Sequence, residues 1–198
     1  MPEPDGYEYT GLHAIVFLGG SSAPKVAQLV RDLQEREGED ERFRFATEIV
    51  GGVHRGLVHV AVADQHDLAG LQELILELSD DVGLDTDVAV LGPPYVAPSG
   101  QTLAAKIRHC EVLAITRIWV ERGHAGEVLN GLQGAVGDVF DGASIVYGSF
   151  DILLVLDGPD YGSVAGPALE AVPTVPGIVR TETSFADVRR YGDYAEEG

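Results

Sequence analysis

Twice along this chain the same succession of apolar and amphipathic segments occurs, and that repetition limits the architectures open to it more than any other feature. The first succession opens with the β-rich run Leu12–Leu18, which ends at Gly19-Gly20. Ser21 and Ser22 then offer an N-cap, and Pro24 suits a first helical turn. Val26, Leu29, Val30 and Leu33 follow at i, i+3, i+4, i+7, the stripe of an amphipathic helix, with Arg31, Gln34 and Glu35 opposite. Beyond the charged loop Glu37–Arg42, strands are predicted near Phe45–Val50 and over Leu57–Ala63, parted by Gly51-Gly52. A helix over Asp67–Ser79 should turn Leu68, Leu71, Leu74, Ile75 and Leu78 inward, and Thr86–Leu91 closes the set as a strand. The order is β-α-β-β-α-β.

Gly92–Gly100 holds three prolines and two glycines in nine residues, which reads as a linker. A short helix over Thr102–His109 leads onward. The second succession then repeats the order: a strand Val112–Val120, a helix Gly126–Val136, strands Ala143–Tyr147 and Ile152–Leu156, a helix Tyr161–Val172, and a strand Ile178–Phe185. Val164, Ala168, Leu169 and Val172 form the inward side of that second helix, which Gly166-Pro167 should kink or shorten. Trp119 lies in the opening strand and is expected in the core or a subunit interface. The expected organisation is a first unit over 8–92, a linker over 93–110, a second unit over 111–190 and an acidic, mobile tail over 191–198.

The fold class is therefore α+β: two tandem ferredoxin-like βαββαβ repeats, each an antiparallel sheet with two helices on one face. The bare face of each sheet must be buried, because an apolar sheet face is unstable in water.

Charge narrows the functions available. With 32 Asp and Glu against 13 Lys and Arg, the formal charge is −19. Such a surface repels phosphate backbones and anionic membranes, so no direct nucleic acid and no membrane is expected as a partner. Only Lys25 and Lys106 are lysines, a composition suited to staying hydrated in concentrated, halophilic salt. Cys110 is the single cysteine, so no intrachain disulfide can form. The opening residues lack a basic start and apolar run, and no stretch approaches the roughly 18 apolar residues of a membrane span, so a cytoplasmic location is expected.

Several constellations offer little chemistry. His54, His59 and His66 stand five and seven residues apart, and a strand brings only even steps onto one face. His109, Cys110 and Glu111 alternate faces, and His124 is read as a loop residue. Gly19–Lys25 follows a strand but lacks the second glycine and the Ser/Thr of a phosphate loop. No metal, cofactor or catalytic residue is implied.

One stretch resembles a known family. Gly123-His124-Ala125-Gly126 precedes a helix, Tyr147-Gly148-Ser149-Phe150-Asp151 turns into Ile152–Val155, and Val175-Pro176-Gly177-Ile178 leads through Thr181 to Thr183. Their order and spacing resemble the ligand-binding (RAM) domain of the leucine-responsive regulator/AsnC family over about 75 residues. The first half shares the topology without the motif, since Arg55 stands where Asp151 does. The resemblance implies two sheets packed face to face as a dimeric α+β barrel, homo-oligomers, and possible mixed assembly with full-length regulators of that family. It also implies a ligand-binding site for an amino acid or related metabolite at Tyr147, Gly148, Ser149, Asp151, Thr181 and Thr183. Asp151 would receive an ammonium and exposed N–H groups a carboxylate. Gly148 permits the positive φ that a tight hairpin can require.

Three classes of function stay open on the sequence. The first is a sensor without a DNA-binding domain, favoured because no acid is paired with a base. The second is a small monooxygenase- or isomerase-like enzyme of the dimeric α+β barrel superfamily, and the third is a structural assembly protein.

Overall fold

The computed structural model describes residues 11–20, 23–36, 40, 42–64, 66–80, 86–96 and 111–188. These described residues divide into two compact units, one up to Leu91 and one from Gly92 on. The expected helix over Thr102–His109 and the acidic tail lie outside the described residues.

In the first unit β1 (Leu12–Leu18), α1 (Ala23–Arg36), β2 (Phe43–Glu48), β3 (Gly56–Val62), α2 (Leu68–Asp80) and β4 (Thr86–Val96) follow in order. The strands are antiparallel and ordered β2-β3-β1-β4. Period-two alternation sends Ala14, Val16, Leu18, Val58, Val60 and Val62 towards the helices, where Val26, Val30, Leu33, Leu71, Leu74 and Leu78 meet them. Gly56 lets α1 approach closely, since a Cβ there would stand 2.8 Å from Val26 Cγ1. Asp67 lies just outside α2 and caps it, its Oδ1 accepting from the Gly70 N–H at 2.8 Å. Leu68, expected inward, is 64% exposed, because the first residue of a capped helix sits beyond the end of the apolar stripe. β4 runs on to Val96, through Pro93-Pro94 and into the segment read as linker. Proline fixes φ in an extended range and can continue a strand wherever its missing N–H is not needed.

The second unit contains β5 (Val112–Val120), α3 (Ala125–Val136), β6 (Phe140–Tyr147), β7 (Ile152–Gly158), α4 (Tyr161–Gly166) and β8 (Ile178–Asp187). Its antiparallel strands run β6-β7-β5-β8, the order of the first unit over again. The core joins Val112, Ala114, Ile118, Ile152, Leu154 and Leu156 of the sheet to Val128, Leu129, Leu132 and Val164 of the helices. Asp160 and Ser163 form a reciprocal capping box on α4. At Gly166-Pro167 the helix gives way to a π turn, Pro167–Ala171, and a 3-10 turn, Val172–Thr174. The widened turn carries Leu169 out of the apolar side expected for it and leaves it exposed, while Ala168 and Val172 stay buried.

The sheet faces turned away from the helices are buried too. They carry Ile15, Phe17, Phe45 and Leu57 in the first unit and Leu113, Ile115 and Leu153 in the second.

Candidate functional site

Each of these buried faces holds polar side chains that the registers bring together. In the first unit, alternation along β1 places His13, Ile15 and Phe17 on the face away from the helices. The register sets Ile15 opposite His59 and Phe17 opposite Leu57. His13 and His59 thereby become diagonal neighbours, with His13 Nδ1 and His59 Nε2 3.0 Å apart. The rings are tilted at 49° with centroids 5.2 Å apart. His13 is 7% exposed and His59 3%. Burial, with smaller contributions from His13 and Arg44, pushes the His59 imidazole down to about 3, so it is neutral across the physiological range. His54 packs its ring against Phe17 at 5.1 Å. Spacing along the sequence groups His59 with His54 and His66, not with His13. The signal available was His13 inside the apolar run of β1, on the same parity as Ile15 and Phe17.

In the second unit the residues expected to bind ligand gather about the ends of β5 and β8. Tyr147 ends β6 and is 69% exposed, and Gly148 and Ser149 are exposed beside it. The Tyr147 ring lies against Gly92, where a Cβ would come within 2.8 Å of it. Asp151 ties the β6–β7 turn to β5. Its Oδ2 accepts from the Val120 N–H at 2.9 Å, its own N–H donates to the Ile118 carbonyl at 3.0 Å, and its carbonyl accepts from Val146 at 3.0 Å. Thr181 and Thr183 share the helix-side face of β8, opposite Ile118 and Thr116, and the Thr183 and Thr116 hydroxyls lie 3.0 Å apart. Gly148 does not take the positive φ considered for it, because the Asp151 bonds close the turn without one. Gly177 does, at 91°, where the chain swings into β8.

Next to these residues, and missed in the sequence, is a group on the opposite face of the same strands. Arg117, 6% exposed, is ion-paired with Glu182 directly across the register, and Glu182 also binds Arg180. The Arg180 guanidinium lies 4.4 Å from the centre of the Trp119 ring. Arg117 lies 5.7 Å from that ring and 5.8 Å from the ring of Phe150. The Trp119 Nε1–H donates to the Ser149 carbonyl at 2.7 Å. Trp119 is thus half-buried among arginines rather than packed in the helix-side core. The sequence signal was a lone arginine inside the apolar run of β5.

No family model matches the chain. No curated protein matches it either. Solved structures do share its fold. An anthrone oxidase-like protein superposes with a TM-score of 0.63 at 11% identity, over 91% of this chain and 92% of that one. A protein assigned as a chlorite dismutase gives 0.59 at 10% identity, over 95% and 99%. The siroheme decarboxylase NirDL, in complex with an iron-uroporphyrin III analogue, gives 0.58 at 8% identity, over 93% and 77%. At such identities the likeness is one of fold alone: α+β, with helices against antiparallel strands.

Proposed function

We propose that the chain is a small enzyme of the dimeric α+β barrel type, monooxygenase- or isomerase-like, that moves a proton at a carbon of an apolar substrate. The observation that carries this reading is the hydrogen-bonded His13–His59 pair, buried on the sheet face that also carries Ile15, Phe17, Phe45 and Leu57. Enzymes are what the names of the three similar structures describe, which agrees with it. It takes the place of the sensor that the sequence favoured, because the register supplies the convergent imidazoles that the sequence did not reveal.

In this reading His59, held neutral by burial, is a positioning residue. Its Nε2 accepts from the His13 Nδ1–H, which leaves the His13 Nε2 lone pair as the base. The substrate C–H proton passes to His13 Nε2 and its electron pair stays on the substrate as an enolate. The resulting imidazolium is stabilised by its bond to His59. Ile15, Phe17, Phe45 and Leu57 suit a planar, apolar carbon acid. Anthrone, a carbon acid of that kind, is the probe. Its methylene hydrogens should exchange with D2O in the presence of the protein, with or without oxygen, and His13→Ala should slow exchange by a factor of about 100 or more. His59→Asn should slow it less. Exchange that ignores His13→Ala, or no exchange above buffer for anthrone and a panel of related carbon acids, refutes the reading.

A second reading keeps the RAM resemblance. In it the two units are tandem repeats packed as a barrel, the chain assembles with itself or with full-length regulators, and the turn at Tyr147, Gly148, Ser149 and Asp151 with Thr181 and Thr183 binds an amino acid-like ligand. What favours it is the exposure of three consecutive motif residues, Tyr147, Gly148 and Ser149. A ligand at 100 times its Kd would add about 2.7 kcal/mol to stability. Thermal unfolding against the common amino acids tests this, with Asp151→Asn as the control. A panel without any shift removes the reading.

A further inference from the structure

We infer that Thr47 is the hydrogen-bond donor to the substrate's oxygen, so that the substrate is a carbon acid whose anion carries its charge on a carbonyl oxygen. The inference rests on the proton-transfer reading and adds a group which that reading lacks. An enolate formed where burial excludes water needs a donor waiting at its oxygen, since an unpaired charge there is costly.

The registers supply the candidate. Phe45 lies opposite His59 and Thr47 opposite Leu57, while Ala46 between them pairs with Val58 in the helix-side core. Alternation therefore sets Thr47 on the same face as His13, Ile15, Phe17 and His59. Its side chain is buried, at 2% exposure for the residue. Among the described side chains that β1, β2 and β3 turn to this face, it is the one hydroxyl. Its bond in the structure is to the Glu48 carbonyl at 3.3 Å, long for an O–H···O bond, so little is lost when it turns to a substrate oxygen.

The spacing also suits a flat molecule. His59 has His13 as its diagonal neighbour on one side and Thr47 as its diagonal neighbour on the other. Each diagonal step is about 7–8 Å between Cα atoms, so base and donor stand well apart with the His59 ring between them. A planar substrate laid across that ring presents its acidic carbon to His13 and its oxygen to Thr47. In anthrone the methylene and the carbonyl are para to each other on the central ring, which matches that separation. In the step itself the C–H bond breaks and the proton moves to His13 Nε2. The electron pair passes through the ring to the carbonyl oxygen, which accepts from the Thr47 hydroxyl, and the hydroxyl keeps its own proton.

The exchange of anthrone hydrogens with D2O, followed against anthrone concentration for the full chain and its variants, tests this. Thr47→Val, which puts a methyl group where the hydroxyl was, should lower kcat about 100-fold and leave KM within a factor of about two, because the bond strengthens only as charge reaches the oxygen. Thr47→Ser keeps a hydroxyl and should stay within about tenfold of the unsubstituted chain. Both variants should keep its circular dichroism spectrum. Exchange that depends on His13 but survives Thr47→Val overturns this inference and leaves the proton-transfer reading standing. So does a loss in Thr47→Ser equal to that in Thr47→Val, or a Thr47→Val effect confined to KM. Exchange absent from the unsubstituted chain, or indifferent to His13→Ala, removes the proton-transfer reading and this inference with it.

Discussion

Single side chains in this protein have sharply different consequences. His59 is the clearest case. Its imidazole is held at about 3 in the folded chain against 6.5 when free, so the unfolded chain binds more protons between those values. Stability is therefore fully present above pH 6.5 and is lost as the pH falls towards 3, by up to about 1.4 kcal/mol for each pH unit. Urea unfolding at pH 7, 6 and 5 should show this decline, and His59→Val should flatten it. Asp151 acts through geometry instead. Removing its carboxylate in Asp151→Ala leaves the Val120 N–H without its acceptor and should cost about 1–3 kcal/mol. Asp151→Asn keeps an acceptor oxygen and should cost less. That pair of variants separates a turn-closing role from a ligand-binding one, since only the latter needs the charge.

Elements show what could be read in advance and what could not. The apolar runs of β1 and β5 and the stripe of α1 were legible because each has a period of its own, 2 or 3.6 residues, that a sequence displays directly. Strand ends were less so. β2 begins at Phe43 rather than Phe45, and β6 at Phe140 rather than Ala143, because both pair through a bulge at that end and a bulge breaks the alternation. The His13–His59 pair and the Arg117–Glu182 pair depend on register between strands 46 and 65 residues apart, which no local pattern encodes. The Pro176-Gly177 turn was legible, and it carries a prediction. Gly177 has φ at 91°, and a Cβ there would stand 3.1 Å from both His124 Cβ and Val128 Cγ2. Gly177→Ala should therefore lower stability by more than about 1 kcal/mol, measured by thermal unfolding. It should also loosen β8 against α3, seen as faster amide exchange in β8.

For the molecule as a whole, the charge of −19 predicts how stability responds to salt. The screening length falls from about 10 Å at 0.1 M to about 3 Å at 1 M, so dispersed repulsion fades while partly buried pairs such as Arg117–Glu182 are screened less. The unfolding temperature should rise between 0.1 and 1 M potassium chloride. A fall would mean that the exposed ion pairs outweigh the repulsion. The two units share a strand order, and their registers equate individual positions. Ile15 faces His59 and Ala89, and Ile115 faces Val155 and Ser184. By the same count His13 answers to Leu113 and Phe17 to Arg117. Where one sheet has imidazoles the other has aliphatic carbon, and where one has a phenyl ring the other has a guanidinium. A chain in which two units share a strand order but not their side chains can change one position alone, a freedom denied to a pair of identical subunits, in which every substitution appears twice. Each half is then a ready-made template for disarming its counterpart. Writing leucine and valine from the second half into positions 13 and 59 of the first should give a sound, acid-tolerant sheet that has lost its imidazole pair and kept its shape.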